Sequence, residues 1–293
     1  MTEETPDHFI ETRVDIPSEQ AELVCDFIVE NITNGLVLEE EEDSGVTGII
    51  FYVPSDHSEQ VERLTDFIAS LPGSGVKPKL QQREVKGQMW LEEYRQSIKP
   101  LRIGDDIVVR PTWVETQGAT YEIVIEPKMA FGTGSHATTR SSMLAIRRHF
   151  QSGMTFLDMG CGSGILGILA DKLGATYIKA VDYDPVSVEN SLENFQINEV
   201  TTKNDIALGS IEQCDYDQPY DFVCANIIRE TILSMLDRLV KLTLPGGVLV
   251  LSGMLEKDTE EITPALQALG QEDFDIIHDE EWRTYVVQTS TER

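Results

Sequence analysis

Residues 158–164 read Asp-Met-Gly-Cys-Gly-Ser-Gly, a carboxylate closing an apolar run and then a glycine at every second position. Glycines there let the backbone turn sharply and lie close to a ligand, while a helix starting in the turn points unpaired N–H groups at it. A second apolar run, YIKAVD, ends in Asp182, 22 positions beyond Gly160. An acid at that distance is where a doubly wound α/β fold meets ribose hydroxyls, which a carboxylate accepts two at a time. A third run, DFVCAN, ends in Asn226, whose carboxamide oxygen can accept an N–H of an incoming amine. Upstream lies AFGTGSHATTR, residues 130–140, too polar for a core.

Two cofactor classes compete for such a turn. The dinucleotide fingerprint G-x-G-x-x-G, counted from Gly160, demands Gly or Ala at 165, where this chain has Ile165. The spacing D-x-G-x-G-x-G through Asp158, Gly160, Gly162 and Gly164 matches instead the first motif of S-adenosylmethionine-dependent methyltransferases. That ligand has no pyrophosphate, so the turn must accommodate its amino-acid portion. The opening loop is no P-loop, because Gly132 and Gly134 are too close and no lysine follows. Nor is a metal expected, since His136 has no second ligand at metal spacing. The loop, with Phe131 and Gly132, is expected over the methionine part of the cofactor, and Thr138 or Thr139 offers a hydroxyl at the start of the next helix. His136 is a candidate proton acceptor and Asn226 the candidate that orients the amine. Enzymes that methylate amines of bases carry Asn-Pro-Pro and an aromatic; Ile227, Ile228 and Arg229 stand there here, so base methylation loses ground.

The elements that must position these residues alternate regularly. From about residue 138 onward a helix is followed by TFLDMG, GILGILADKLG, YIKAVD, PVSVENSLENFQIN, KNDIALG, YDFVCAN, RETILSMLDRLVKLT, GVLVLSG and DTEEITPALQALG. This predicts an α/β domain with a mostly parallel sheet and helices on both faces, over residues 101–293. DFDIIHDEEWRTYVVQTS predicts a hairpin at one end of the sheet. Residues 1–87 read β-α-β-β-α-β, the ferredoxin-like α+β arrangement. Ala21, Val24, Cys25, Ile28 and Ile32 share one helical face behind a cap at Ser18, and Val61, Leu64, Phe67, Ile68 and Leu71 share a second. Residues 88–100 read as a linking helix stopped by Pro100.

Lys plus Arg number 23 against 51 Asp plus Glu, a net charge of −28. Such a surface repels a phosphodiester backbone, disfavours nucleic acid as substrate and favours a basic protein partner. Residues 1–87 carry 19 acidic against 6 basic residues, a net of −13, and are the expected substrate-recognition domain. Four scattered cysteines, no export signal and no membrane-length apolar run point to a reduced cytoplasm.

The chain resembles a known family, the bacterial ribosomal protein L-eleven methyltransferases. The matching stretches are WLEEYRQSIKPLRIGDDIVVRPTW, AFGTGSHATT, LDMGCGSGILGILADKLGA, VDYDP, ANII, PGGVLVLSGML and EEWRTYVV, colinear over residues 88–289. The resemblance implies a class I (Rossmann-like) methyltransferase domain behind a ferredoxin-like one. It implies S-adenosylmethionine as cofactor, S-adenosylhomocysteine as product, and contacts to the cofactor through Thr139, Gly160, Asp182 and Asn226. It implies a monomer that methylates amino groups of ribosomal protein L-eleven free of the ribosome, several times per protein. Departures at Tyr94, Ser135, Ala137 and after Asn226-Ile227 bear on the protein substrate rather than on cofactor chemistry. Methylation of lysines in another protein, methylation of RNA, and a non-catalytic cofactor-binding role in assembly are the alternatives.

Overall fold

A computed structural model of the chain describes residues 8–33, 36–40, 45–54, 58–71, 79–86, 99–126 and 132–291. Most of the expected linking helix and Phe131 lie outside them. The chain divides into two compact units between Ile98 and Lys99.

The first unit runs β1 (His8–Pro17), α1 (Ala21–Asn31), β2 (Leu36–Glu40), β3 (Val46–Pro54), α2 (Ser58–Ser70) and β4 (Lys79–Lys86). Its sheet is ordered β2-β3-β1-β4, antiparallel throughout, which is the ferredoxin-like topology. Alternate residues Val14 and Ile16 of β1 and Ile49, Phe51 and Val53 of β3 face the helices, where Val24, Ile28, Val61, Leu64 and Ile68 complete a buried core. Phe27 and Phe67 stack with ring centroids 4.1 Å apart, tying the two helices together. The expected cap at Ser18 is corrected: Ser18 opens a 3-10 turn, its hydroxyl accepts from Thr47 at 2.9 Å, and the residue before α1 is Gln20. A tertiary contact to β3 has taken the hydroxyl that local propensity assigns to the helix.

The second unit opens with a three-stranded sheet, β5 (Leu101–Ile103), β6 (Ile107–Arg110) and β7 (Tyr121–Val124). Then follow α3 (Ala137–His149), β8 (Thr155–Met159), α4 (Ile165–Lys172), β9 (Tyr177–Asp182), α5 (Pro185–Ile197), β10 (Lys203–Leu208), β11 (Tyr220–Asn226), α6 (Arg229–Leu242), β12 (Thr243–Leu255), α7 (Thr259–Ala268), β13 (Phe274–Asp279) and β14 (Trp282–Gln288). The seven-stranded sheet is ordered β10-β9-β8-β11-β12-β14-β13. Its first five strands are parallel, β14 enters antiparallel beside β12, and β13, antiparallel to β14, runs in the direction of the first five. Both faces are covered, which is why the central strands read as unbroken apolar runs. Phe150, Phe156 and Phe222 anchor one face beneath α3 and α4, while Leu239, Leu249 and Tyr285 lie in the core under α6 and α7. Strand order reverses between β8 and β11, so the C-terminal ends of these strands border the crevice where open α/β sheets bind ligands.

Candidate active site

Two helix starts frame that crevice. Asp184 caps α5, its side chain accepting from Val186 N at 3.0 Å, and Pro185 supplies a pre-set φ in the first turn. His136 caps α3: its Nδ1 accepts from Thr138 N at 3.2 Å and sits 2.7 Å from Thr138 Oγ1. The capping role expected of Thr138 or Thr139 thus falls to His136, and both threonines lie buried in the first helical turn.

One cavity of about 590 Å³ opens here, within the roughly 300–1,000 Å³ usual for small-molecule sites. Of the candidate site residues singled out by sequence, His136, Thr138, Gly160, Gly162, Asp182 and Asn226 line it. Asp182 closes β9 nine-tenths buried; its Oδ2 accepts from Gly162 N at 2.8 Å and its Oδ1 from Asp184 N at 3.0 Å. Two backbone donors leave acceptor capacity on both oxygens for further hydroxyls. Gly160 has φ +77°, and a Cβ there would meet Ile227 Cγ2 at 2.2 Å, so only glycine lets the turn after β8 pass the residue after Asn226. Asn226 ends β11, and its Nδ2 is directed to Thr139 Oγ1 at 3.5 Å, which leaves the carboxamide oxygen for the cavity.

Four expected residues stand elsewhere. Gly164, in the left-handed conformation that precedes α4, does not line the cavity; a Cβ would press Phe195 and Ser191 of α5. The Gly132 carbonyl accepts from Ser163 Oγ at 2.6 Å, joining the opening loop to the glycine turn outside the cavity. Thr139 reaches the site through Asn226 rather than as a wall. Asp158 is fully buried beneath the turn and neither carboxylate oxygen has a hydrogen-bond partner. Burial above all, then the neighbouring Asp182 charge, pushes its carboxyl up to about 7; the Gly167 amide, too poorly placed for a full hydrogen bond, offsets a part. Burial and then Arg140 hold His136 below its ordinary pKa, against an opposing pull from Glu281, Glu280 and Asp279.

Sequence reasoning missed much of the wall. Tyr183 stands 84% exposed at the mouth, Ile228 and Thr231 come from the start of α6, and Trp282 from the terminal hairpin. Trp282 meets His136 edge-on with ring centroids 4.8 Å apart. The one signal for it was its place within EEWRTYVV, one of the stretches that carry the family resemblance. No group of three or more His, Cys, Asp and Glu side chains suited to a metal occurs among the described residues.

The residues present fit an adenosyl sulfonium ligand: an acid with spare acceptor capacity closes β9, a glycine turn that admits no side chain closes β8, and a carboxamide closes β11. A sheet of this order with its ligand cavity at the switch point defines the class I methyltransferases that use S-adenosylmethionine. Within that class, the family model described as Ribosomal protein L11 methyltransferase (PrmA) matches residues 8–290, and the chain belongs to this family. It is 35% identical over 287 residues to a Ribosomal protein L11 methyltransferase of Desulfosudis oleivorans, spanning 94% of this chain and 91% of that protein. To the protein of that name from Campylobacter concisus it is 39% identical over 203 residues, 69% of this chain and 71% of the other. The crystal structure of a ribosomal protein L11 methylase from Lactobacillus delbrueckii subsp. bulgaricus aligns with TM-score 0.61 at 26% identity, covering 66% of this chain and all of that one.

Proposed function

We propose that the chain methylates amino groups of ribosomal protein L11, lysine side chains and/or the N-terminal α-amine, with S-adenosylmethionine as donor. Family membership across residues 8–290 supports the substrate, and Asn226, held by Thr139 and lining the same cavity as Asp182, carries the chemistry. When bound, the cofactor supplies a methyl group on a sulfonium that is already a good leaving group. The chain's own task is therefore alignment and an uncharged nucleophile. Asp182, steadied by the Gly162 and Asp184 amides, holds ribose hydroxyls; the turn through Gly160 and Gly162 lies against the ligand; the Asn226 oxygen accepts an N–H of the amine and aims its lone pair at the methyl.

A lysine amine has a pKa of about 10.4 and must lose its proton before attack. Ile227, Ile228, Met235 and Trp282 make the wall around Asn226 apolar, and exclusion of water there lowers an amine's pKa. His136 has committed its acceptor nitrogen to the helix cap, so in this reading it is a wall beside Trp282 and not the proton acceptor. The acidic first unit recognises the basic substrate, and the enzyme works as a cytoplasmic monomer on ribosomal protein free of the ribosome. No helix among the described residues is long and apolar enough to cross a membrane.

Incubating the purified chain with tritiated S-adenosylmethionine and ribosomal extract tests this reading. Label is expected in ribosomal protein L11; label in RNA, or cofactor binding without transfer, would overturn it. Deletion of residues 1–87 is expected to keep cofactor affinity and abolish protein methylation.

A further inference from the structure

Helix α5 places an asparagine once per turn on one stripe: Asn190, Asn194 and, at its C-terminal cap, Asn198. Asparagine is a poor helix former, so two buried within the helix, with a half-buried third at its cap, call for a reason outside the helix. Asn198 closes on one residue of β7, its Oδ1 accepting from Val124 N at 2.8 Å and its Nδ2 donating to Val124 O at 2.6 Å. Asn194, fully buried, does something different. Its Oδ1 accepts from Glu126 N at 2.9 Å and its Nδ2 donates to Ser163 O, also at 2.9 Å. The Asn190 Oδ1 accepts from the same Nδ2 at 3.3 Å, which fixes the way the Asn194 carboxamide faces.

Ser163 is the middle of the glycine turn. With Gly160, Gly162 and Gly164 all at positive φ, the turn has little conformational preference of its own and must be held from outside. On the cavity side Asp182 takes the Gly162 amide. On the opposite side Ser191 Oγ donates to Gly162 O at 2.8 Å and Asn194 donates to Ser163 O. Both carbonyls are thereby fixed by α5, and the other end of the Asn194 carboxamide holds the backbone just ahead of the opening loop in sequence.

We propose that Asn194 is a positioning residue for cofactor binding, a single carboxamide that locks the glycine turn to the chain leading into the opening loop, with Ser191 as its partner on the turn. The inference rests on the methyltransferase reading of that turn. Removing the Asn194 side chain leaves the Ser163 carbonyl and the Glu126 amide without that partner and frees the turn, whereas removing that of Asn198 frees Val124 of β7 and one bond to the Asn194 main-chain carbonyl, and leaves both bonds of the Asn194 carboxamide in place.

Calorimetric binding of S-adenosylhomocysteine to the full chain tests the proposal, with melting temperatures measured alongside. Asn194→Ala and Asn198→Ala both remove paired side chains and are both expected to melt lower. Asn194→Ala is expected to raise the Kd by about tenfold or more, in line with the penalty for orphaned buried groups, and Asn198→Ala to leave it within about twofold. In turnover the Asn194 variant is expected to show a raised KM for the cofactor at near-unchanged kcat. Equal weakening in both variants, or wild-type affinity in Asn194→Ala, would show the ladder to be structural only. Should Asn194→Ala fail to fold, Ser191→Ala decides, since an unchanged Kd there overturns the proposal. A wild-type chain that does not bind S-adenosylhomocysteine would instead overturn the cofactor reading itself.

Discussion

Replacing Asp158 by Asn probes the electrostatics beneath the glycine turn. The carboxyl is fully buried without a hydrogen-bond partner, and burial with the nearby Asp182 charge raises it from 3.8 to about 7. In the unfolded chain an aspartate titrates near its ordinary value of about 3.9. Between these two values the folded chain holds a proton that the unfolded chain has lost. The group therefore leaves stability whole below about pH 4 and withdraws it as pH rises, until the loss is complete above about pH 7. At about 1.4 kcal/mol per unit, the shift amounts to roughly 4 kcal/mol overall, of which about 2–3 kcal/mol falls between pH 5 and pH 8. Asparagine has the same shape and does not ionise. Its buried N–H groups lack acceptors and cost about 1–3 kcal/mol, but equally at every pH. Urea unfolding of both proteins at pH 5 and pH 8, followed by circular dichroism, reads the difference. The stability of Asp158→Asn relative to wild type is expected to improve by about 2–3 kcal/mol from the lower pH to the higher. A relative stability that does not change with pH would refute the assignment of a buried, unpaired, titrating carboxyl.

Two further outcomes follow from the site. Asn226→Ala removes the acceptor at the end of β11 and is expected to lower kcat on the order of a hundredfold, because orientation of the amine is lost, while the Kd for S-adenosylhomocysteine moves far less. His136→Asn keeps a good capping side chain at the start of α3 and is expected to retain activity within a few-fold and an unshifted pH–rate profile. A collapse of kcat with a displaced basic or acidic limb would return a proton-transfer role to His136.

The parallel core was legible because its cause is written locally. A strand covered on both faces must be a short apolar run, and Asp158, Asp182 and Asn226 stand at or beside the ends of such runs, so sequence alone brought β8, β9 and β11 to one edge. The hairpin of β13 and β14 and the two amphipathic helices of the first unit were legible for the same reason. Contacts between distant segments were not. Ser18 is a residue type that caps helices, yet Thr47 of β3 claims its hydroxyl. Gly164 belongs to the glycine motif, yet its φ of +80° and the closeness of Phe195 already require glycine. Tyr183, Ile228 and Trp282 reach one cavity from three elements whose separation in sequence carries no period, and only packing brings them together.

That contrast bears on how the enzyme works. A sulfonium methyl needs no acid, metal or covalent nucleophile to leave, so selection of geometry dominates the chemistry. The residues that touch the reactants are then few, and the larger share of the work falls to groups that fix backbone: the Asp182 carboxylate on the Gly162 and Asp184 amides, Ser191 and Asn194 on the turn carbonyls, Ser163 on Gly132, and His136 on the start of α3. Each of these side chains satisfies a main-chain group that glycine-rich, irregular backbone would otherwise leave unpaired. The same bonds that make such a loop affordable in a buried setting also hold it in one shape. In this fold, stability of the loop and precision of the site arise from a shared set of hydrogen bonds, so substitutions along the polar stripe of α5 should be read against cofactor affinity as well as melting temperature.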